Sequence, residues 1–85
     1  MKKIEGIIKA ARSNPAGIKF ADICKVCDHY FGEPRQKGTS HRAYKTPWQG
    51  DPRVNIQKKG SKAKGYQVKQ VLKAIDRIKG EIHGK

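Results

Sequence analysis

The segment His41-Arg42-Ala43-Tyr44-Lys45-Thr46 alternates its side chains with a period of two, which is the period of a β-strand. A second alternating stretch follows, in which Val54 and Ile56 are the apolar positions. Residues 47–52 join the two stretches and contain two prolines and a glycine, a composition typical of a turn. The sequence therefore predicts two antiparallel strands, and residues 33–37 are predicted to add a third strand at the edge.

Helical periodicity appears on both sides of these strands. A first helix is predicted over residues 4–11, and Asn14-Pro15 ends it. A second is predicted over residues 20–31, and Gly32 ends it. A third follows a basic segment at 58–65, which is predicted to be a flexible loop. The apolar stripe of this third helix comprises Tyr66, Val68, Val71, Leu72, Ile75 and Ile78.

These elements predict an α+β domain of two layers, with helices covering one face of a three-stranded antiparallel sheet. A chain of 85 residues allows one domain, so residues 1–85 are assigned to a single domain, with 79–85 as a frayed tail. Strand alternation places His41 on the sheet face opposite Tyr44, and it places Lys45 on the same face as His41. We therefore expect His41 to lie on the face that the helices leave exposed to solvent.

The chain is strongly basic, with 20 Lys and Arg residues against 7 Asp and Glu residues and a formal net charge of +13. Its partner is expected to be an anion: a nucleic acid, an anionic membrane surface or an acidic protein. No apolar run approaches the roughly 18 residues that a membrane span requires, and no signal-peptide core is present, so a cytoplasmic location is expected.

Metal and cofactor sites are not expected. Cys24 and Cys27 have the spacing of a metal or redox motif, but both fall on the apolar stripe of the second helix, where cysteine packs as a small hydrophobe. The isolated carboxylates Asp22, Asp51 and Asp76 form no paired pattern of the kind that metal nucleases use. The sequence therefore predicts no bound metal and no cofactor.

His41 is the one residue that brings a proton-transfer group into a basic segment, residues 35–45. Imidazole changes its protonation state near neutral pH, and the neighbouring cations suit a phosphate polyanion. This combination favours chemistry on RNA. The alternative for a single strand histidine is an ordinary polar surface residue.

Three stretches resemble the HicA toxins: Asn14-Pro15 through Phe20-Ala21-Asp22, Lys37-Gly38-Thr39-Ser40-His41 with the aromatic Tyr44, and residues 60–72. Members of this family are small ribonucleases with a fold like that of the double-stranded-RNA-binding domain. They cleave mRNA, stall translation and are silenced by a HicB antitoxin. The resemblance implies the same fold, the same mRNA substrate and a HicB-like antitoxin partner here.

The essential histidine of the family carries over onto His41, because Ser40 precedes it and an aromatic residue follows three positions later. This chain departs from the family's motif in two places. Thr39 separates the glycine from the serine, and Arg42 stands where a second histidine often follows. A mechanism that uses two adjacent histidines is therefore excluded.

The resemblance implies a metal-independent transesterification in which His41 takes the proton of a ribose 2′-hydroxyl. The products expected are a cyclic phosphate and a free 5′-hydroxyl. Lys37, Arg42 and Lys45 are candidates to stabilise the charge of the transition state. The acid that protonates the leaving group is expected to be Lys45, Tyr44 or a water molecule.

The predicted RNA contacts are Lys37, Ser40, Arg42, Lys45, Lys58, Lys59, Lys62 and Lys64. The last four are equally well explained as a solvated connection. Trp48 is expected either to cap the sheet or to stack on a base. The alternative to a ribonuclease is a non-catalytic module that binds double-stranded RNA, and a DNA-binding regulator is disfavoured because no helix-turn-helix spacing is present.

Overall fold

The computed structural model describes residues 3–37, 40–46, 48 and 53–83. Its helices are α1 (Ile4–Ser13), α2 (Phe20–Phe31) and α3 (Gly65–His83), and a short 3₁₀ turn (Pro15–Gly17) lies between α1 and α2. Its strands are β1 (Gln36–Lys37), β2 (His41–Lys45), β3 (Arg53–Lys59) and β4 (Lys62–Ala63).

The strands form one antiparallel sheet in the order β1-β2-β3-β4. The predicted α+β fold of two layers is confirmed. The edge strand predicted over residues 33–37 is present but shorter, as β1, and β4 adds a fourth strand to the three that were predicted. In the central pair, His41 lies opposite Gln57 and Tyr44 lies opposite Val54. This arrangement is compatible with a fold like that of the double-stranded-RNA-binding domain.

The prediction of a flexible loop over residues 58–65 is wrong. β3 continues to Lys59, the chain turns at Gly60 and Ser61, and β4 pairs back onto β3. Gly60 has a φ of +65°, a left-handed conformation that glycine adopts without strain. On the other side, the N–H of Ala63 donates to the carbonyl of Ile18 at 2.9 Å. Backbone pairing on both sides orders a segment that reads as a loop from its composition alone.

The core lies between the sheet and the helices, and α1 contacts both α2 and α3. Tyr44 and Ile56 reach into it from the sheet and are fully buried. The helices contribute apolar residues that recur at helical spacing. The buried helical residues are Ile7, Ile8, Ala11, Phe20, Ile23, Cys24, Val26, Cys27, Val68, Val71, Leu72 and Ile75.

α2 ends before Gly32, as predicted, and that glycine has a φ of +81°. α3 differs from the prediction at both ends. Its buried stripe starts at Gln67, which is 5% exposed, whereas Tyr66 is 58% exposed. At the other end the helix continues through residues 79–83, which were predicted to be a frayed tail. None of the helices in the described part of the chain combines the length and the apolar character that crossing a membrane requires.

Candidate functional site

β2 and β3 present two different faces. Arg42 and Tyr44 lie opposite Ile56 and Val54, and this face packs against the helices. The alternate positions start on the opposite side of the sheet, and two of them, Arg53 and Gln57, have side chains that reach residues of α3 at the edges of the sheet. We call this second surface the open face, and its members are His41, Ala43, Lys45, Arg53, Asn55 and Gln57.

The open face carries His41 as the sequence predicts. His41, Asn55 and Gln57 are half-buried there, and Lys45 and Arg53 are exposed. Lys45 lies four residues from His41, about 13 Å along an extended strand. His41 and Lys45 therefore share a surface but cannot contact one phosphate unless the strand bends.

His41 and Gln57 are close neighbours across the sheet. The N–H of Lys58 donates to the carbonyl of Ser40 at 2.8 Å, so Ser40 and Lys58 form a hydrogen-bonded pair of the antiparallel ladder. In an antiparallel ladder the next pair along, His41 with Gln57, is then a pair without mutual backbone hydrogen bonds. Side chains approach most closely in pairs of this second kind. Gln57 is therefore the residue across the sheet from His41.

Gln67 holds the carboxamide of Gln57 in place. Its Oε1 accepts a hydrogen bond from the backbone N–H of Gln57 at 2.7 Å, and its Nε2 donates to Oε1 of Gln57 at 2.9 Å. Nε2 of Gln67 also lies 3.4 Å from the hydroxyl of Tyr66. With Oε1 of Gln57 engaged by Gln67, the groups that Gln57 can offer to a ligand are the two N–H donors of its Nε2.

Arg42 and Tyr44 occupy the other face of the sheet from His41. The hydroxyl of Tyr44 donates to Oδ1 of Asp28 at 2.7 Å and accepts from Nη1 of Arg42 at 3.3 Å. Nη1 of Arg42 lies 3.6 Å from the same carboxylate. Burial raises the pKa of Tyr44, which is fully enclosed. Tyr44 is therefore removed from the candidates for the leaving-group acid, and Arg42 cannot share a phosphate with His41.

The Nε of Arg42 is buried and has no hydrogen-bond partner among the described residues. Asp28, Tyr44 and Arg42 form a hydrogen-bonded cluster, and two of its members, Asp28 and Arg42, line a cavity beside Gly32. This cluster lies between α2 and β2, so it joins the helical layer to the sheet rather than contributing to the open face.

The remaining predicted contacts are spread along the sheet. Ser40 is exposed and directly precedes His41. Lys37 belongs to β1, where its backbone lies opposite Arg42 of β2. The side chain of Lys37 lies outside the described part of the structure. The four lysines of the β3–β4 hairpin are grouped at one end of the sheet. Lys58, Lys59 and Lys62 are exposed, and Lys64 is half-buried.

Cys24 and Cys27 are free thiols buried in the core, as the apolar stripe predicts. Burial raises the pKa of both thiols, which keeps them protonated. Among the residues that the structure describes, no group of three or more His, Cys, Asp or Glu side chains is placed to hold a metal ion.

The sequence did not single out Gln57, Gln67 or Arg53 as site residues. For Gln57 and Arg53 the signal was present, because both alternate with Val54 and Ile56 and so share the parity of the open face. For Gln67 the sequence contained no such signal, since a polar residue at the start of a helix is expected to be exposed.

No family model matches this chain, and no curated protein or solved structure matches it either.

Proposed function

We propose that this protein is an endoribonuclease of the HicA toxin type, an mRNA interferase that cleaves mRNA without a metal ion and thereby inhibits translation. The observation that carries the proposal is the position of His41. The residue is half-buried on the open face, across the sheet from Gln57, in a chain of net charge +13. A proton-transfer group on an accessible cationic surface is what cleavage of RNA by its own 2′-hydroxyl needs.

In the proposed reaction, neutral His41 accepts the proton of a ribose 2′-hydroxyl. The freed oxygen forms a bond to the adjacent phosphorus, and the bond from phosphorus to the 5′-oxygen of the next nucleotide breaks. The products are a 2′,3′-cyclic phosphate and a free 5′-hydroxyl. DNA lacks the 2′-hydroxyl and is not cleaved.

The leaving 5′-oxygen needs a proton. Tyr44 is enclosed on the opposite face, and Lys45 lies about 13 Å from His41 along the strand. We therefore assign this role to a water molecule. We assign to the Nε2 of Gln57 a hydrogen bond to a non-bridging phosphate oxygen, where negative charge grows in the transition state.

The test is cleavage of an end-labelled transcript by the purified protein in the presence of a chelator. General acid or base action typically contributes a factor on the order of 10²–10⁴, so His41→Ala is expected to lose cleavage by that factor. RNA affinity, which many cations share, is expected to change little.

His29→Ala is the matched control, because His29 is an exposed histidine on α2, in the helical layer. This variant is expected to cleave at the wild-type rate. Intact RNA with the wild-type protein would support the alternative, a non-catalytic RNA-binding module. Equal cleavage by wild type and His41→Ala would remove His41 from the mechanism.

We further propose a HicB-like antitoxin as the partner that silences the activity. An acidic segment laid over the open face would neutralise its charge and cover His41 together. Hydrogen exchange of the complex with such an antitoxin is expected to show protection of β2 and β3. A complex in which this face exchanges as in the free protein would contradict the proposal.

A further inference from the structure

A cleft of about 500 Å³ lies where the end of the sheet meets the outer side of α3. Trp48 forms one wall, Arg53 comes from β3, and Lys73 and Arg77 come from α3. The guanidinium carbon of Arg77 lies 4.1 Å from the centre of the Trp48 ring, which is a cation–π contact. Among the described residues that line the cleft, three carry a positive charge and none carries a negative one.

The lining combines two kinds of surface. Trp48, Val54 and Ala74 offer an aromatic ring and small apolar side chains, and the three cations surround them. A phosphate ion or an acidic peptide would use the cations but would make no specific use of the indole ring and the apolar side chains. A nucleotide uses both, because its base stacks on an aromatic ring while its phosphate pairs with Arg and Lys.

The base must be unpaired. In a double helix each base is stacked within the duplex, and side chains recognise mainly the backbone and the shallow groove. Stacking on a protein aromatic requires a base that has left its neighbours. The chemistry of the cleft therefore fits a single strand better than a duplex.

One residue that lines the cleft, Arg53, connects it to the open face that carries His41. Arg53 lies on the open face, and it is four residues along β3 from Gln57, the register partner of His41. Four residues of extended strand span about 13 Å. A stacked nucleic-acid strand rises about 3.4 Å per nucleotide, and an unstacked strand covers more, so fewer than about four nucleotides bridge this distance.

We propose that this cleft binds an unpaired nucleotide of an RNA strand, within about four nucleotides of the phosphate that His41 serves. The proposal rests on the function proposed above and names its substrate as a single-stranded segment. Binding of this nucleotide in the cleft then determines which phosphate of the strand lies beside the imidazole of His41.

Trp48 is the only tryptophan in the chain, so its intrinsic fluorescence reports on this cleft alone. The probe is a single-stranded 2′-O-methyl octanucleotide, which lacks the nucleophile and cannot be cleaved, so the wild-type protein is used. We expect a saturable change of fluorescence on titration. Lys73→Ala is expected to weaken binding about fivefold to tenfold, within the range that loss of one phosphate or base contact produces.

Two variants complete the design. Lys73→Arg keeps the charge and is expected to restore affinity, whereas Lys25→Ala removes an exposed charge on α2 and is expected to leave affinity within about twofold of the wild type. Three results would each overturn the cleft. The first is an unchanged Trp48 fluorescence while the anisotropy of a labelled octanucleotide shows that it binds to saturation. The second is a loss of affinity in Lys25→Ala equal to that in Lys73→Ala. The third is a fluorescence response to the duplex form of the octanucleotide equal to the response to the single strand.

The two proposals fail separately. A protein that cleaves transcripts in a His41-dependent way but shows no response at Trp48 keeps the nuclease assignment and loses the cleft. A protein whose Trp48 responds to the octanucleotide but which leaves transcripts intact keeps the cleft and loses the nuclease.

Discussion

Gln67 of α3 completes the hydrogen-bond ladder of β3 by bonding to both the backbone and the side chain of Gln57, at 2.7 and 2.9 Å. β4 pairs only with Lys58 and Lys59 of β3, so the N–H of Gln57 lies past the end of β4. A buried side chain from the first turn of α3 takes the place of a strand there, since Gln67 is 5% exposed. The edge of the sheet is thereby joined to the helix beside His41.

Removal of Gln67 should therefore destabilise the fold. Gln67→Ala leaves the part-buried N–H of Gln57 without its acceptor, and it is expected to lower the free energy of unfolding by about 1–3 kcal/mol. Urea denaturation measures this change. Lys69→Ala, at an exposed position of the same helix, is expected to change stability by less than about 0.5 kcal/mol. Similar losses in the two variants would show that the bond to Gln57 contributes nothing specific.

The variant Tyr44→Phe tests whether the face of the sheet that carries Tyr44 takes part in cleavage. The change removes a buried hydroxyl that bonds to Asp28 and Arg42, so we expect a loss of about 1–2 kcal/mol in the free energy of unfolding. Because Tyr44 lies on the face opposite His41, cleavage by the folded variant is expected to proceed at the wild-type rate. Urea denaturation and a cleavage assay on one preparation give both numbers. A loss of cleavage as large as that of His41→Ala would return Tyr44 to the mechanism.

The period of two in β2 and β3 was enough to predict the sheet and the face on which His41 lies. That prediction depends only on which positions are apolar, and burial of Tyr44, Val54 and Ile56 enforces it. The same parity puts Arg42 with Tyr44, so Arg42 was placed among the RNA contacts by its adjacency to His41 rather than by the pattern.

The features that could not be predicted are those in which tertiary pairing overrides composition. The run of lysines and glycines at 58–65 is typical of a solvated loop, yet β4 forms because Ile18 and β3 supply backbone partners on its two sides. Gln67 is polar and still buried, because the N–H of Gln57 needs an acceptor. Ile18 is distant from β4 in the sequence, and Gln57 lies ten residues before Gln67, so neither of these contacts belongs to a local pattern, although the pairing of β4 with β3 is a local hairpin.

Arg12 and Asp76 link α1 to α3 through two contacts of 2.6 and 3.2 Å. The hydrogen bonds from Arg12 lower the pKa of Asp76 below its ordinary value of 3.8. A carboxyl group whose pKa is lower in the folded state adds stability above its unfolded pKa, and this stability is lost as the pH falls through the folded pKa. The two side chains are 44% and 54% exposed, so solvent screening limits the contribution to less than about 1 kcal/mol.

We therefore expect Asp76→Asn to lower the free energy of unfolding by less than about 1 kcal/mol at pH 7, and to have a smaller effect near pH 2, where a larger fraction of the wild-type carboxyl group is protonated than at pH 7. Urea denaturation at both pH values measures the difference. Glu33→Gln removes an exposed charge outside this pair and serves as the control. A loss for Asp76→Asn that is the same at both pH values would show that the ion pair is not its cause.

Lys62 and Lys64 lie in the β3–β4 hairpin, at the end of the sheet that carries His41 and Gln57. If both contact phosphate, the variant Lys62→Gln/Lys64→Gln is expected to reduce the slope of log affinity against log salt by about 1.4 for a single strand, and by up to about two for a duplex. Anisotropy of a labelled RNA measures the slope, in the His41→Ala background so that no RNA is cleaved. Lys9→Gln/Lys25→Gln, which removes two exposed charges from α1 and α2, is expected to leave the slope unchanged. An unchanged slope in the hairpin variant would mean that these lysines only keep the turn solvated.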